Sequence, residues 1–146
     1  MNNDKRRKVV TIVFDPGLRA LLKDFMSSHE YGVESAQDGL DAFHKLAKTY
    51  FDLIITDLQM PGFGGVALVP RLKRIQPWAR VIVIPTKKIR AKERQTLMST
   101  ADICIEKPFK LSQLKTVIQG MFPMPEDKNR PADPTWTQGA LSLQLG

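Results

Sequence analysis

The chain has 146 residues, 42% of them hydrophobic and 25% charged, with a formal net charge of +7 and one cysteine. That length suits one domain with a tail, and the lone Cys104 rules out a disulfide framework. No run of about 18 apolar residues exists, which excludes a transmembrane helix. The charged start Met1-Asn2-Asn3-Asp4-Lys5-Arg6-Arg7-Lys8 lacks the apolar stretch of a signal peptide, so a cytoplasmic location is expected.

Residues 1–7 read as a basic lead. Val9 to Phe14 is an apolar first strand, and Leu18, Leu21, Leu22 and Phe25 then recur at helical spacing. Tyr31 to Ala36 is a second strand. Asp38 is a good N-cap for a helix with Leu40, Phe43, Leu46 and Ala47 inward. Leu53-Ile54-Ile55-Thr56 is the third strand, and a helix from about Gly65 to Gln76 is ended by Pro77. Val81 to Ile84 forms the fourth strand, and Ile89 to Ser99 a weakly amphipathic helix. Ile103-Cys104-Ile105 and a helix from Leu111 to about Met121 complete the set. From Pro123 to Gly146 the chain turns proline-rich and polar and reads as an unfolded tail, with a docking peptide at its end as the alternative.

Five alternations of strand and helix imply a parallel sheet with helices on both faces. The expected fold is α/β, a flavodoxin-like (βα)5 three-layer sandwich with strand order 2-1-3-4-5. Continuous apolar strands fit burial on both faces. Asp57 directly follows such a strand and precedes Leu58-Gln59-Met60-Pro61-Gly62, whose Pro and Gly hold an irregular turn. A carboxylate there stands at the carboxyl edge of the sheet, where open α/β folds place their chemistry. The fifth strand ends in Glu106-Lys107-Pro108-Phe109, which brings Lys107 to the same edge.

Asp57 with Met60-Pro61-Gly62, Lys107 with Pro108-Phe109, and Gln37-Asp38-Gly39-Leu40-Asp41-Ala42 together resemble the receiver domain of two-component response regulators. The resemblance covers roughly residues 8–122. It implies a signalling module, not an enzyme, in which Asp57 accepts a phosphoryl group from a histidine kinase or phosphotransfer protein and Lys107 pairs with the phosphate. It also implies Mg²⁺ bound by an acidic pair at the end of strand one, by Asp57, and by the backbone carbonyl of Gln59.

Several positions depart from that pattern. The acidic pair falls on Val13 and Phe14, neither of which can ligate a metal. Asp15 follows; it is either a surviving ligand or, beside Pro16 and Gly17, the N-cap of the first helix. Mg²⁺ affinity is therefore expected to be weak. The switch hydroxyl falls on Pro85, with Thr86 one place later as a substitute, and the switch aromatic falls on Cys104. Gly64 and Thr100 also replace the usual residues.

Between Arg71 and Arg94 lie Lys73, Arg74, Arg80, Lys87, Lys88, Arg90 and Lys92, with Glu93 the one acid. Dense positive charge there, over the third and fourth helices, favours an acidic partner or a nucleic-acid backbone. Trp78 could offer a stacking platform, but no aromatic-rich binding motif accompanies it, so neither nucleic acid nor membrane is an expected partner. The leading function is phosphorelay signalling. The alternative is a phosphorylation-independent pseudo-receiver that binds a protein through the fourth-helix region.

Overall fold

The computed structural model describes residues 6–59, 65–85, 88–106 and 108–122. Strands and helices alternate as β1 (Lys8–Ile12), α1 (Pro16–Ser28), β2 (Gly32–Ala36), α2 (Gly39–Lys48) and β3 (Leu53–Thr56). They continue with α3 (Leu68–Ile75), β4 (Arg80–Val83), α4 (Ala91–Thr100), β5 (Ile103–Cys104) and α5 (Leu111–Met121). All pairings are parallel, in the order β2-β1-β3-β4-β5. This is the flavodoxin-like arrangement that the alternating pattern implies.

Burial explains the strand composition. Every residue of β3 is buried. Leu53 and Ile55 pack with Leu22, Met26 and Ile118 of α1 and α5, while Ile54 packs with Leu46, Leu72 and Leu97 of α2, α3 and α4. Strand side chains alternate faces, so one short run feeds both cores. The edge strands β2 and β5 are only partly buried.

Two details of the sequence reading need correction. Leu40 is 54% exposed and Ala47 is exposed, so neither faces inward. The buried stripe of α2 is Gly39, Ala42 and Leu46, at spacings of three and four. Leu40 and Ala47 lie well round the helix from it. Strand β1 ends at Ile12, two residues short of Phe14, although the Val13 N–H still donates to the Ala36 carbonyl at 3.2 Å.

Gln76 closes α3 and is fully buried. Its Oε1 accepts the Phe51 N–H at 2.9 Å, and its Nε2 donates to the carbonyls of Leu46 (3.0 Å) and Thr49 (2.7 Å). One side chain thus ties α3 to the end of α2 and to the start of β3. Gln76→Ala strands three backbone groups at about 1–3 kcal/mol per fully buried group, with water relieving some. Urea denaturation should show a loss of about 2–4 kcal/mol. A loss below about 0.5 kcal/mol, the range of an ordinary surface change, would show that the network carries little.

Candidate functional site

The carboxyl ends of β1 and β3 form the edge where Asp57 stands. Ile12 pairs with Thr56, and the Asp57 N–H donates to the Ile12 carbonyl at 3.0 Å. The next residues, Val13 and Asp57, therefore come abreast. Asp57 is only 2% exposed, so it is an edge residue and nearly buried at once. Its Oδ1 accepts the N–H of Leu58 at 2.6 Å and of Gln59 at 3.3 Å. Amide donors of this kind fix the orientation of a carboxylate.

Asp15 is the N-cap of α1. Its Oδ2 accepts the Leu18 N–H at 2.7 Å, and Pro16 fills the first helical position. Val13 is buried in the core beside α1, and Phe14 is 53% exposed. Arg19 enters here from α1 and donates from Nη1 to the Val13 carbonyl at 3.0 Å.

Pro85 is buried and follows Ile84, whose N–H donates to the Thr56 carbonyl at 2.9 Å. Cys104 is half-buried against the core under α2, α3 and α4, and burial pushes its thiol up. Glu106, just beyond β5, takes a two-point grip from Arg94 of α4: Nη2 to Oε1 at 2.8 Å and Nε to Oε2 at 3.1 Å. That grip holds the Glu106 carboxyl below its usual range. Sequence reasoning gave this pair no role, since nothing in the spacing marks an α4 arginine as the partner of a β5 glutamate. Lys107, Thr86, Lys87, Met60, Pro61, Gly62, Gly64 and the segment 123–146 lie outside the described residues.

The basic face is less charged than its sequence. Lys73 Nζ reaches Asp102 Oδ2 at 2.8 Å and Arg80 Nη1 reaches Oδ1 at 3.4 Å. Burial alone would raise the Asp102 carboxyl, but the Lys73 and Val81 hydrogen bonds and both cations hold it below the usual range. Arg94 is committed to Glu106. Arg74 of α3, Lys88, Arg90 and Lys92 are exposed, and Met98 of α4 is 77% exposed. Trp78 is half-buried, packed against the core with its ring 6.2 Å from that of Tyr50. It is not the open stacking platform that its place among cations suggested.

The family model for the response regulator receiver domain matches residues 10–119. The chain belongs to this family. It is 29% identical over 117 residues to the sensor histidine kinase RcsC of Escherichia coli (strain K12), a match covering 80% of this chain and 12% of that protein. The chain thus spans about an eighth of that relative's length. Among solved structures, a CheY-like receiver domain protein from Methanospirillum hungatei JF-1 superposes with a TM-score of 0.75 at 19% identity. That match covers 80% of this chain and 94% of the other. The response regulator TrrA of Thermotoga maritima, in complex with Mg²⁺-BeF, superposes with a TM-score of 0.69 at 25% identity, covering 80% and 99%. As a receiver domain, the chain is a module of two-component signalling.

The receiver family implies Mg²⁺, and the residues at this edge do not fit it well. Val13 and Phe14 bring no oxygen, and Asp15 spends an oxygen on its helix cap. Asp57 and the Gln59 carbonyl are the family ligand positions that remain. Among the described residues, no group of three or more His, Cys, Asp or Glu comes together. Mg²⁺ wants near-ideal octahedral oxygen coordination. Millimolar Mg²⁺ is therefore expected to leave the wild-type melting temperature unchanged. Phe14→Asp adds a carboxylate at a solvent-open position and should create binding. At about 100 times the Kd, that ligand stabilises by about 2.7 kcal/mol, which thermal melts read as a rise of several degrees. A wild-type rise that vanishes in Asp15→Ala would reinstate Asp15 as a ligand.

Proposed function

We propose that the chain is a phosphoryl-accepting receiver. Asp57 takes the group from a histidine kinase or phosphotransfer protein, and Lys107 meets the charge that arrives. The observation that carries this reading is Asp57 itself: a carboxylate at the end of the central strand, with Oδ1 oriented by two backbone amides. In this reading one oxygen of the Asp57 carboxylate is the attacking atom. It forms a bond to phosphorus as the bond from phosphorus to the donor breaks, and the donor atom keeps that electron pair. The product is an acyl phosphate on a preformed site, so positioning and charge supply most of the catalysis.

The response that follows is small. Pro85 has neither hydroxyl nor N–H with which to follow the phosphoryl group, and Cys104 is too short to swing between buried and exposed states. Thr86 is the substitute hydroxyl in this reading. The test is incubation with acetyl phosphate and an intact-mass measurement, which should show the addition of one phosphoryl group. No added mass under any condition would refute Asp57 as an acceptor.

A second reading draws on a separate observation, the exposed Lys88, Arg90, Lys92 and Met98 around α4. There the chain is a phosphorylation-independent pseudo-receiver whose α3–α4 face holds an acidic protein.

A further inference from the structure

We propose that the cleft between the end of α1 and α5 binds a small aromatic carboxylate, with Lys115 holding the acid group and an apolar floor holding the ring. The cleft lies toward the amino ends of the strands, since Tyr31 in its wall directly precedes β2. Asp57 follows the carboxyl end of β3, so the two sites are distinct.

Size sets the first limit. The cleft has a volume of about 110 Å³. A dry cavity of about 150 Å³ encloses benzene. This smaller cleft, with exposed residues at its rim, seats one six-membered ring whose substituent points outward. Its floor is Met26 of α1 and Ile118 of α5, both buried. One wall is already built of rings: Phe25 and His29 lie 4.5 Å apart between centroids, tilted by 40°. Aromatic faces and a thioether favour a ring over an aliphatic chain.

Charge sets the second limit. Lys115 and Gln119 stand one turn apart on α5, so they share a face, and both are exposed. Among the described residues Lys115 has no ion-pair partner, and no Asp or Glu lines the cleft. The local field is therefore positive and favours an anion. One lysine balances a single negative charge, which points to a carboxylate and not to a doubly charged phosphate. Lys115, Gln119 and Tyr31 all offer donors, and a carboxylate has only acceptors. Burial pushes the Tyr31 phenol up, with Arg7 opposing and Asp52 adding to the shift, so Tyr31 stays an uncharged donor at neutral pH. His29 is fixed in orientation. Its Nδ1 lies 2.9 Å from the Phe25 carbonyl, which can only accept, so Nδ1 carries a proton.

The experiment titrates the ¹⁵N-labelled full chain with benzoate and follows the backbone amides by NMR. Benzyl alcohol supplies the ring without the charge, and acetate the charge without the ring. Lys115→Gln and Gln119→Glu are compared with wild type and with Asp57→Asn. Both cleft substitutions are at exposed positions, and melting temperatures confirm that each variant folds. Benzoate should move the amides of residues 25–31 and 115–119 saturably, with a Kd of about 1 mM for so small a ligand. Acetate and benzyl alcohol should each bind at least about threefold more weakly. Lys115→Gln should weaken benzoate about three- to tenfold, between the value of an exposed ion pair and that of a hydrogen bond to a charged group. Gln119→Glu sets a carboxylate one turn from Lys115 and should weaken it at least as much. Asp57→Asn should bind benzoate as wild type does. Shifts that stay linear in benzoate, or that map away from the cleft, would overturn the site. Equal affinity for benzyl alcohol, or unchanged benzoate affinity in Lys115→Gln, would overturn the acidic class of ligand. Equal affinity for acetate would overturn the aromatic one.

Discussion

Asp57→Asn is expected to abolish phosphoryl incorporation completely. The amide replaces the attacking oxygen with a nitrogen whose lone pair is delocalised and does not attack phosphorus. The substitution leaves the architecture almost intact, because the Asn oxygen can still accept the N–H groups of Leu58 and Gln59 that Oδ1 now holds. Asp57→Ala is the poorer control. It would leave those amides without their acceptor in a nearly buried place, at about 1–3 kcal/mol for a fully buried group. Its loss of labelling would mix chemistry with stability. Lys107→Ala keeps the nucleophile, so it should slow incorporation, with each 1.36 kcal/mol of lost charge stabilisation appearing as roughly tenfold in rate. An undiminished mass gain in Asp57→Asn would put the phosphoryl group on another residue and remove the central premise of the receiver reading.

The fold was largely legible because its signals are local and redundant. A run such as Leu53 to Thr56 must be buried on both faces, and only a covered parallel sheet offers that. Asp38 announced α2 through its own chemistry, and its side chain accepts the Asp41 N–H at 2.8 Å. Leu46 and Phe43 of that helix do meet the core, and Leu40 and Ala47 do not. Leu40 is the larger apolar residue near its start, but the smaller Gly39 and Ala42 make the inward stripe, because close packing selects for direction before size.

The site was legible in its parts and less so in its balance of charge. Asp57 was visible from the strand that carries it. The two readings of Asp15 could not be separated by sequence, since the same carboxylate suits a cap and an ion. The bond to Leu18 shows the cap in place. Arg19 gave no signal beyond a helical arginine, because its partner is a backbone carbonyl six residues back that any sequence would possess. The cation count between Arg71 and Arg94 overstated the basic face for a related reason. Asp102 and Glu106, which neutralise Lys73, Arg80 and Arg94, lie beyond that stretch and reach it only through the sheet.

What remains exposed on that face separates the two functional readings. Arg74 on α3, Lys88 and Arg90 before α4 and Lys92 in its first turn are exposed, and the exposed Met98 of α4 is an apolar side chain of the adaptable kind that binding surfaces use. Exposed charge pairs contribute little singly, about 0.2–1 kcal/mol each. Reversing three of them turns attraction into repulsion, and like charges across an interface cost several kcal/mol. The triple change Lys88→Glu, Arg90→Glu and Lys92→Glu is therefore expected to abolish capture of the acidic partner at physiological salt. The wild-type complex should weaken steeply as salt rises. Asp57→Asn should retain most of its capture, because Pro85 and Cys104 leave the phosphoryl group few partners through which to bias α4. The comparison to run is a pull-down with wild type, Asp57→Asn and the triple variant, each before and after acetyl phosphate. If Asp57→Asn loses its partner as fully as the triple variant does, the pseudo-receiver reading fails. Phosphorylation control of that face then stands.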